Sequence, residues 1–433
     1  MKMLHKNLTV NEKGHLAIAG FDAVDLAKKY GTPLYVLDED FVRRCCRVYV
    51  NSMRTCFGEG SMPLYASKAL SFRRMYEIAA EEGMGVDVVS GGELYTALAA
   101  KFPAERIYFH GNCKTLEEIR LGVESGVGYF VADNPNELSL IDAEAKRLGK
   151  KQKIILRLTP GIDTHTFEAV RTGQVDSKFG ASIETGQAFE FTKLALGYES
   201  LDLRGFHCHI GSQIFDEAPF CDAAAIMLDY VAKVKKELGF ETEILNLGGG
   251  LGVRYTDADP EPDYAAAIAK ISDYVNLRCA ALALRRPDII MEPGRSLVAA
   301  AGVTLYTVGN VKTIPGYKNY IAIDGGMGDN PRFALYEAKH TALIADRAGE
   351  PADFVCDVAG KCCESGDLIG KDMHIQTPKV GDTAAVLVTG AYNYAMASNY
   401  NRIPRPPVVM LSGGKDYVAV RRETYADLIM YDM

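Results

Sequence analysis

Eight short apolar or β-branched runs recur along the first two thirds of the chain. They are "PLYAS" (63–67), "GVDVVS" (85–90), "RIYFHG" (106–111), "YFVAD" (129–133), "KIILRL" (153–158), "RGFHCHI" (204–210), "EILNLGG" (243–249) and "DIIMEP" (288–293). The first four begin about 22 residues apart, which suits one strand, one helix and two short loops. The last three lie about 40–50 residues apart, as expected where loops carry insertions. Between the runs, "FRRMYEIAAEEG" (72–83) and "TLEEIRLGVESG" (115–126) place apolar residues at helical period and end in Gly, a favoured helix stop. Alternating β and α segments imply a parallel sheet covered by helices. Eight such units within roughly 250 residues predict an α/β fold, a closed (β/α)8 TIM-like barrel.

After about residue 295 the texture changes. "SLVAAAGVTLYTVGNVKTI", "YIAIDGG", "FVCDVAG" and "TAAVLVTGAY" are β-rich, with Gly and Pro turns and few helical patterns. The opening "LTVNEKGHLAIAG" (8–20) is hairpin-like and can join them. The expected organisation is a barrel over 38–290 and a second all-β domain, sandwich- or barrel-like, built from 1–37 and 291–433.

Charge and composition restrict the partners. A net charge of -8 and no Lys/Arg-rich block make nucleic acid and anionic membranes poor partners. No apolar run approaches the roughly 18 residues of a membrane span. The start lacks an apolar signal core, so the expected compartment is the cytoplasm. Ten cysteines without a C-x-x-C read as reduced, mostly packed thiols rather than zinc or redox sites.

Polar or glycine-rich residues directly follow seven of the eight runs: Lys68, Ser90-Gly91-Gly92-Glu93, Asn112, Asn134, His209-Ile210-Gly211-Ser212, Gly248-Gly249-Gly250 and Glu292-Pro293-Gly294-Arg295. Barrel enzymes build their sites at that C-terminal mouth. A strand-end lysine is either a solvated ammonium or, once desolvated, a nucleophilic amine. The second role needs an aldehyde cofactor, and pyridoxal phosphate brings a phosphate that must be held. Gly248-Gly249-Gly250 let backbone N–H groups approach such a phosphate, and the Ser212 hydroxyl can join them. The same "GGGLGVRY" fails as a dinucleotide fingerprint, because Tyr255 or Val253 falls where the last glycine belongs.

His207 and His209 point the same way along a strand. They form either a metal pair, for which no third ligand sits at a telling spacing, or a core histidine (His207) followed by a ring that stacks on a flat cofactor (His209). Glu292 either pairs with Arg295 or keeps a pyridine nitrogen protonated. Arg295 suits a carboxylate or phosphate, which a guanidinium binds bidentately.

The stretches "YASKA", "GVDVVSGGE", "HGNCK", "SKFG", "HCHIGSQ", "NLGGGLG", "MEPGRS", "DNPRFALYEAKH", "CESGD" and "GAYNYAMASNYN" occur in that order. On them the chain resembles the fold-type III, alanine-racemase-like pyridoxal-phosphate decarboxylases, and within these the ones that act on meso-2,6-diaminopimelate. The resemblance implies release of CO2 and formation of L-lysine, the last step of lysine biosynthesis. It implies Lys68 as the residue that condenses with the cofactor and His209 as the stacking ring. Asp87, Ser212, Gly249, Gly250, Gly294, Arg295 and Tyr392 join them in the cofactor-binding set, with Glu292 as partner of the pyridine nitrogen.

It further implies Arg295, Arg332 and Tyr336 as holders of the distal carboxylate, with Tyr392 and Glu364 also at the substrate. Cys363 and Glu364 match residues that such enzymes reach across a homodimer interface, and Cys363 or Lys68 would return the proton to carbon. No metal is implied. The chain departs from the family pattern at Leu70, Phe333, Lys361, Ile403 and Val408. The cationic "PRFALY" favours a substrate with a second carboxylate over one with a distal cation. The alternatives are a carboxynorspermidine or other basic amino-acid decarboxylase of the same fold, and a non-catalytic pyridoxal-phosphate-binding or regulatory relative.

Overall fold

The computed structural model describes residues 3–162 and 177–433. The chain divides into two compact units. One comprises Cys45–Gly252 and Pro262–Gly294; the other comprises Met1–Arg44, Val253–Glu261 and Arg295–Met433.

The first unit is the expected barrel. Its strands are β1 (Met62–Ala66), β2 (Gly85–Val88), β3 (Ile107–Phe109), β4 (Tyr129–Ala132), β5 (Gln152–Thr159), β6 (Leu201–His207), β7 (Ile244–Asn246) and β8 (Asp288–Met291). Every neighbouring pair is parallel, and β8 closes on β1 through Ile290 opposite Met62. Each strand lies within one of the eight quoted runs, apart from end residues on β1, β5 and β6. Leu64, Tyr108, Val131, Ile155, Ile244 and Ile290 pack together, so the interior is filled by side chains from six strands. Gly85 is required there, because a Cβ would stand 2.9 Å from the Arg106 carbonyl oxygen as well as 2.4 Å from Leu64 Cδ2.

Helices follow the strands as the periodicity predicts. Arg73–Glu81 buries Met75, Tyr76, Ile78 and Ala79. Leu116–Ser125 starts with a reciprocal cap: Thr115 Oγ1 accepts from the Glu118 N–H and the Glu118 carboxylate accepts from the Thr115 N–H. It stops at Gly126, whose φ of 72° only glycine adopts without cost.

The second unit is mostly β. Its centre is Gly302–Ile314, antiparallel to Lys318–Ile323, to Thr383–Leu387 and to Leu34–Asp38. Leu34–Asp38 also pairs with Val408–Ser412, so a fully buried pentapeptide near the N-terminus sits inside this sheet. The opening hairpin forms, as Leu8–Val10 against Leu16–Ile18, in a separate three-stranded sheet with Phe21–Asp22. One correction concerns the start of the β-rich stretch. Arg295–Val298 is a helical turn and Ala299–Ala301 a 3-10 turn, so the strand begins only at Gly302. Consecutive alanines carry helix preference and little to pack across a sheet. Among the described residues no helix is long and apolar enough to cross a membrane.

Candidate active site

The first group gathers at the C-terminal rim of the barrel. After β1 the chain makes one 3-10 turn, Ser67–Ala69, which carries Lys68. The Ser67 hydroxyl donates to the Asp87 carbonyl at 2.8 Å, tying the turn to β2. The Ala66 N–H donates to the Pro293 carbonyl at 3.0 Å, tying it to the segment after β8. Lys68 Nζ stands 3.9 Å from Asp87 Oδ2, with the lysine side chain 42% exposed and the aspartate 1%. The amine thus stands half-exposed at the rim beside a buried carboxylate. Burial pushes the Asp87 carboxyl up, while the charges of His110 and Lys68 pull the other way.

Glu292, directly after β8, is buried and heavily hydrogen-bonded. His110 Nε2 is 2.8 Å from its Oε1, Asn246 Nδ2 donates to the same oxygen at 2.7 Å, and His207 Nε2 is 3.3 Å from Oε2. The two imidazoles meet edge to face, 4.8 Å between ring centres. Burial opposes the carboxylate's charge, but the adjoining imidazoles of His110 and His207, first through charge and then through hydrogen bonding, prevail and hold its pKa well below the usual range. Burial lowers His207 to about 4, so it faces Glu292 as a neutral N–H donor. Three potential ligand atoms thus lie within 4.8 Å in His110, His207 and Glu292. The His207 ring and the Asn246 amide already hydrogen-bond the carboxylate, with the His110 ring close beside it, which makes this a cradle for an anion rather than a cation site.

The glycine loops pack backbone against backbone. A Cβ on Gly249 would stand 2.1 Å from the Glu292 carbonyl oxygen, and one on Gly294 3.0 Å from Ala66 Cβ. Gly250 has φ +130° and its Cβ would stand 2.4 Å from the Gly211 carbonyl oxygen. The N–H groups of Gly249, Gly250 and Gly294 have no acceptor among the described residues. Backbone donors left over beside the Glu292 anion suit a ligand that carries both a phosphate and a basic ring nitrogen. His209 is partly exposed, and Gly248 lies against it; a Cβ there would stand 2.9 Å from His209 Nδ1. Burial, then the Lys68 charge, lowers its pKa well below the ordinary value, so the ring is neutral. Ser212 lies beyond it on the same loop, half-buried.

The second unit holds a separate cluster. Arg295 and Arg332 are both buried. Arg295 Nη1 donates to the Tyr255 hydroxyl at 2.9 Å, and the Arg332 guanidinium lies 4.7 Å over the Tyr255 ring. Arg295 also lies 4.7 Å over the ring of Tyr392, which has φ +59°. Tyr336 ends the short helix Arg332–Tyr336 and is half-buried. Cys363 and Glu364 are apart from this cluster's contacts. They sit exposed in the turn between strands Phe354–Ala359 and Leu368–Ile375, where the Cys363 N–H donates to Asn401 Oδ1 at 2.8 Å.

Two of the polar features after the strands serve local structure. Ser90 caps Gly91–Ala99 and Asn134 caps Pro135–Arg147, each accepting from a glutamate N–H three residues on. Sequence reading assigned no role to His110, Asn246, Tyr255 and His340, and left His207 as half of a metal pair or a core histidine. His110 and Asn246 each stand as a polar residue inside one of the eight apolar runs.

Together the rim groups define a class: a (β/α)8 enzyme with an amine for an aldehyde cofactor, an anion for its ring nitrogen and backbone donors for its phosphate. Residues 43–299 match the family model described as pyridoxal-dependent decarboxylase, pyridoxal binding domain. The chain is 47% identical to the diaminopimelate decarboxylase of Bacillus subtilis, over 99% of this chain and 98% of the relative. It is 46% identical to that of Bacillus methanolicus, over 97% of each. A crystal structure of diaminopimelate decarboxylase from M. jannaschii in complex with L-lysine superposes with TM-score 0.91 at 37% identity, covering 100% of this chain and 99% of that one. The chain belongs to the pyridoxal-dependent decarboxylases, in their diaminopimelate decarboxylase family. Its cofactor is pyridoxal 5'-phosphate, which the rim groups fit.

Proposed function

We propose that this chain decarboxylates meso-2,6-diaminopimelate to L-lysine and CO2, the last step of lysine biosynthesis. The observation that carries the substrate is the pair of buried guanidinium groups, Arg295 and Arg332, on opposite contacts of one phenol. Buried cations favour a ligand that brings an anion. A substrate ending in an ammonium would be repelled there, whereas a second carboxylate would be bound.

Pyridoxal phosphate, when bound, supplies the electron-accepting ring that takes up the pair left by the broken carbon–carbon bond. The chain's residues hold and orient. Lys68, with Asp87 beside it, would hold the cofactor's aldehyde end, and His209 would lie against its ring. Gly249, Gly250, Ser212, Gly294, Arg295 and Tyr392 would hold the phosphate end. Glu292, kept anionic by the groups around it, would partner the ring nitrogen. Arg295, Arg332 and Tyr336 fix the far carboxylate, so that remote binding energy sets the angle of the carboxylate that leaves. CO2 departs, and a proton from Cys363 or Lys68 takes its place on carbon.

The working form is a homodimer in which Cys363 and Glu364 complete the partner's site with Tyr392. Their exposure on a turn of one chain supports this. The compartment is the cytoplasm, in keeping with ten cysteines and no C-x-x-C. The test is the assay itself: purified protein with cofactor should convert meso-diaminopimelate to L-lysine. Arg332→Ala should lose that turnover while keeping the cofactor colour. Full activity in this variant would overturn the substrate assignment.

A further inference from the structure

Tyr255 stands where the glycine triplet's continuation would need a glycine to bind a dinucleotide, and it has no role in the account above. We infer that Tyr255 is a third carboxylate-recognition residue of this chain, working with Arg295 and Arg332. The inference rests on the reading that these two arginines hold the distal carboxylate.

Tyr255 is 4% exposed and fixed at both ends of its peptide unit. Its N–H donates to Asp259 Oδ2 at 3.0 Å, and its carbonyl accepts from the Thr341 hydroxyl at 3.0 Å. One lone pair of its hydroxyl oxygen accepts from Arg295 Nη1. A phenol has a single O–H to give, and an acceptor seated between the two guanidinium groups is the natural recipient. Burial pushes the phenol's pKa up, yet the charges of Arg295 and Arg332 outweigh it and hold the group below its ordinary value. The field that favours negative charge on this oxygen would favour a carboxylate beside it.

Arg332 is held in place for the same purpose. His340 Nδ1 lies 3.0 Å from the Leu387 carbonyl, so it carries the proton and donates. That leaves Nε2 as a lone pair, 3.4 Å from Arg332 Nη1. His340 also meets the Tyr255 ring edge-on at 5.2 Å. The guanidinium of Arg332 is thus clamped between an imidazole lone pair and a phenol face, without a neutralising carboxylate from either.

Tyr255→Phe keeps the ring and removes only the hydroxyl. The experiment compares inhibition of the holoenzyme by L-lysine and by 1,5-diaminopentane, which is L-lysine without its carboxylate. Tyr255→Phe should weaken L-lysine by about tenfold or more, the effect of one hydrogen bond to a charged group, and leave 1,5-diaminopentane within about twofold. An unchanged absorbance band of the bound cofactor reports intact loading. Arg332→Ala is measured in parallel. If Arg332→Ala loses L-lysine selectively and Tyr255→Phe does not, the Tyr255 inference fails alone. A Tyr255→Phe that weakens both inhibitors equally also overturns it, since the hydroxyl would then be structural. If neither variant changes the L-lysine constant, the arginine reading fails as well.

Discussion

Lys68 Nζ stands 3.9 Å from Asp87 Oδ2, the lysine half-exposed and the carboxylate buried. A buried carboxylate thus neighbours the amine at the barrel mouth. Lys68→Ala should therefore lose both turnover and the cofactor linkage that borohydride makes permanent, seen by mass spectrometry of the reduced protein. Asp87→Asn should keep the linkage but slow its formation, read as slower growth of a band near ~420 nm when cofactor is added to the apoprotein. A Lys68→Ala protein that still fixes cofactor on reduction would show that another amine does this work.

Glu292 is flanked by His110, Asn246 and His207 from three other strand ends, and its charge rather than its shape should matter. Glu292→Gln should lower kcat/KM by about 100-fold or more, in line with loss of one preorganised electrostatic group. His207→Asn removes one of its hydrogen-bond partners and should cost less, about tenfold. Near-equal loss in the two variants would mean that His207 acts directly rather than through Glu292.

Acid should weaken the second unit through His340. Burial lowers this imidazole to about 3, far below its ordinary value near 6.5. Between these values the unfolded chain takes up a proton that the folded one refuses, so stability falls as pH drops through that window. From pH 7 to pH 5 the loss from this one group is about 2 kcal/mol. His340→Gln should thus lose less stability than the wild type on the same acidification, measured by urea midpoints at both pH values. Identical losses would mean that His340 is already protonated in the fold.

The proposed sharing of the site between two chains predicts a complementation result. Lys68→Ala and Cys363→Ala chains, each inactive alone, should regain up to about a quarter of wild-type activity when mixed and allowed to exchange, because half the dimers then carry one complete site. Persistent inactivity in mixtures with demonstrated subunit exchange would place Cys363 in its own chain's site or outside any site.

The barrel was legible because each strand is a buried apolar run that ends where the polar rim begins. Lys68, Glu292 and the glycine triplet stood out at those ends for the same reason. What stayed hidden depends on closure. His110 and Glu292 lie 182 residues apart in the chain yet 2.8 Å apart in space, because β8 returns to β1 and β3 is two strands further on. Tyr255 and His340 carry no periodic signature, since they meet through loops rather than along an element. Leu34–Asp38 was missed as a sheet strand because its partners begin at residues 302 and 408. Arg295–Ala301 became helical turns because its alanines offered a sheet too little to pack.

The most direct measurement is CO2 release from meso-diaminopimelate and from carboxynorspermidine, assayed side by side on the same holoenzyme. Two buried guanidinium groups and a phenol at the distal end predict rapid release from meso-diaminopimelate with stoichiometric L-lysine, and little from the rival. Preference for carboxynorspermidine, or no CO2 from either, would contradict the account.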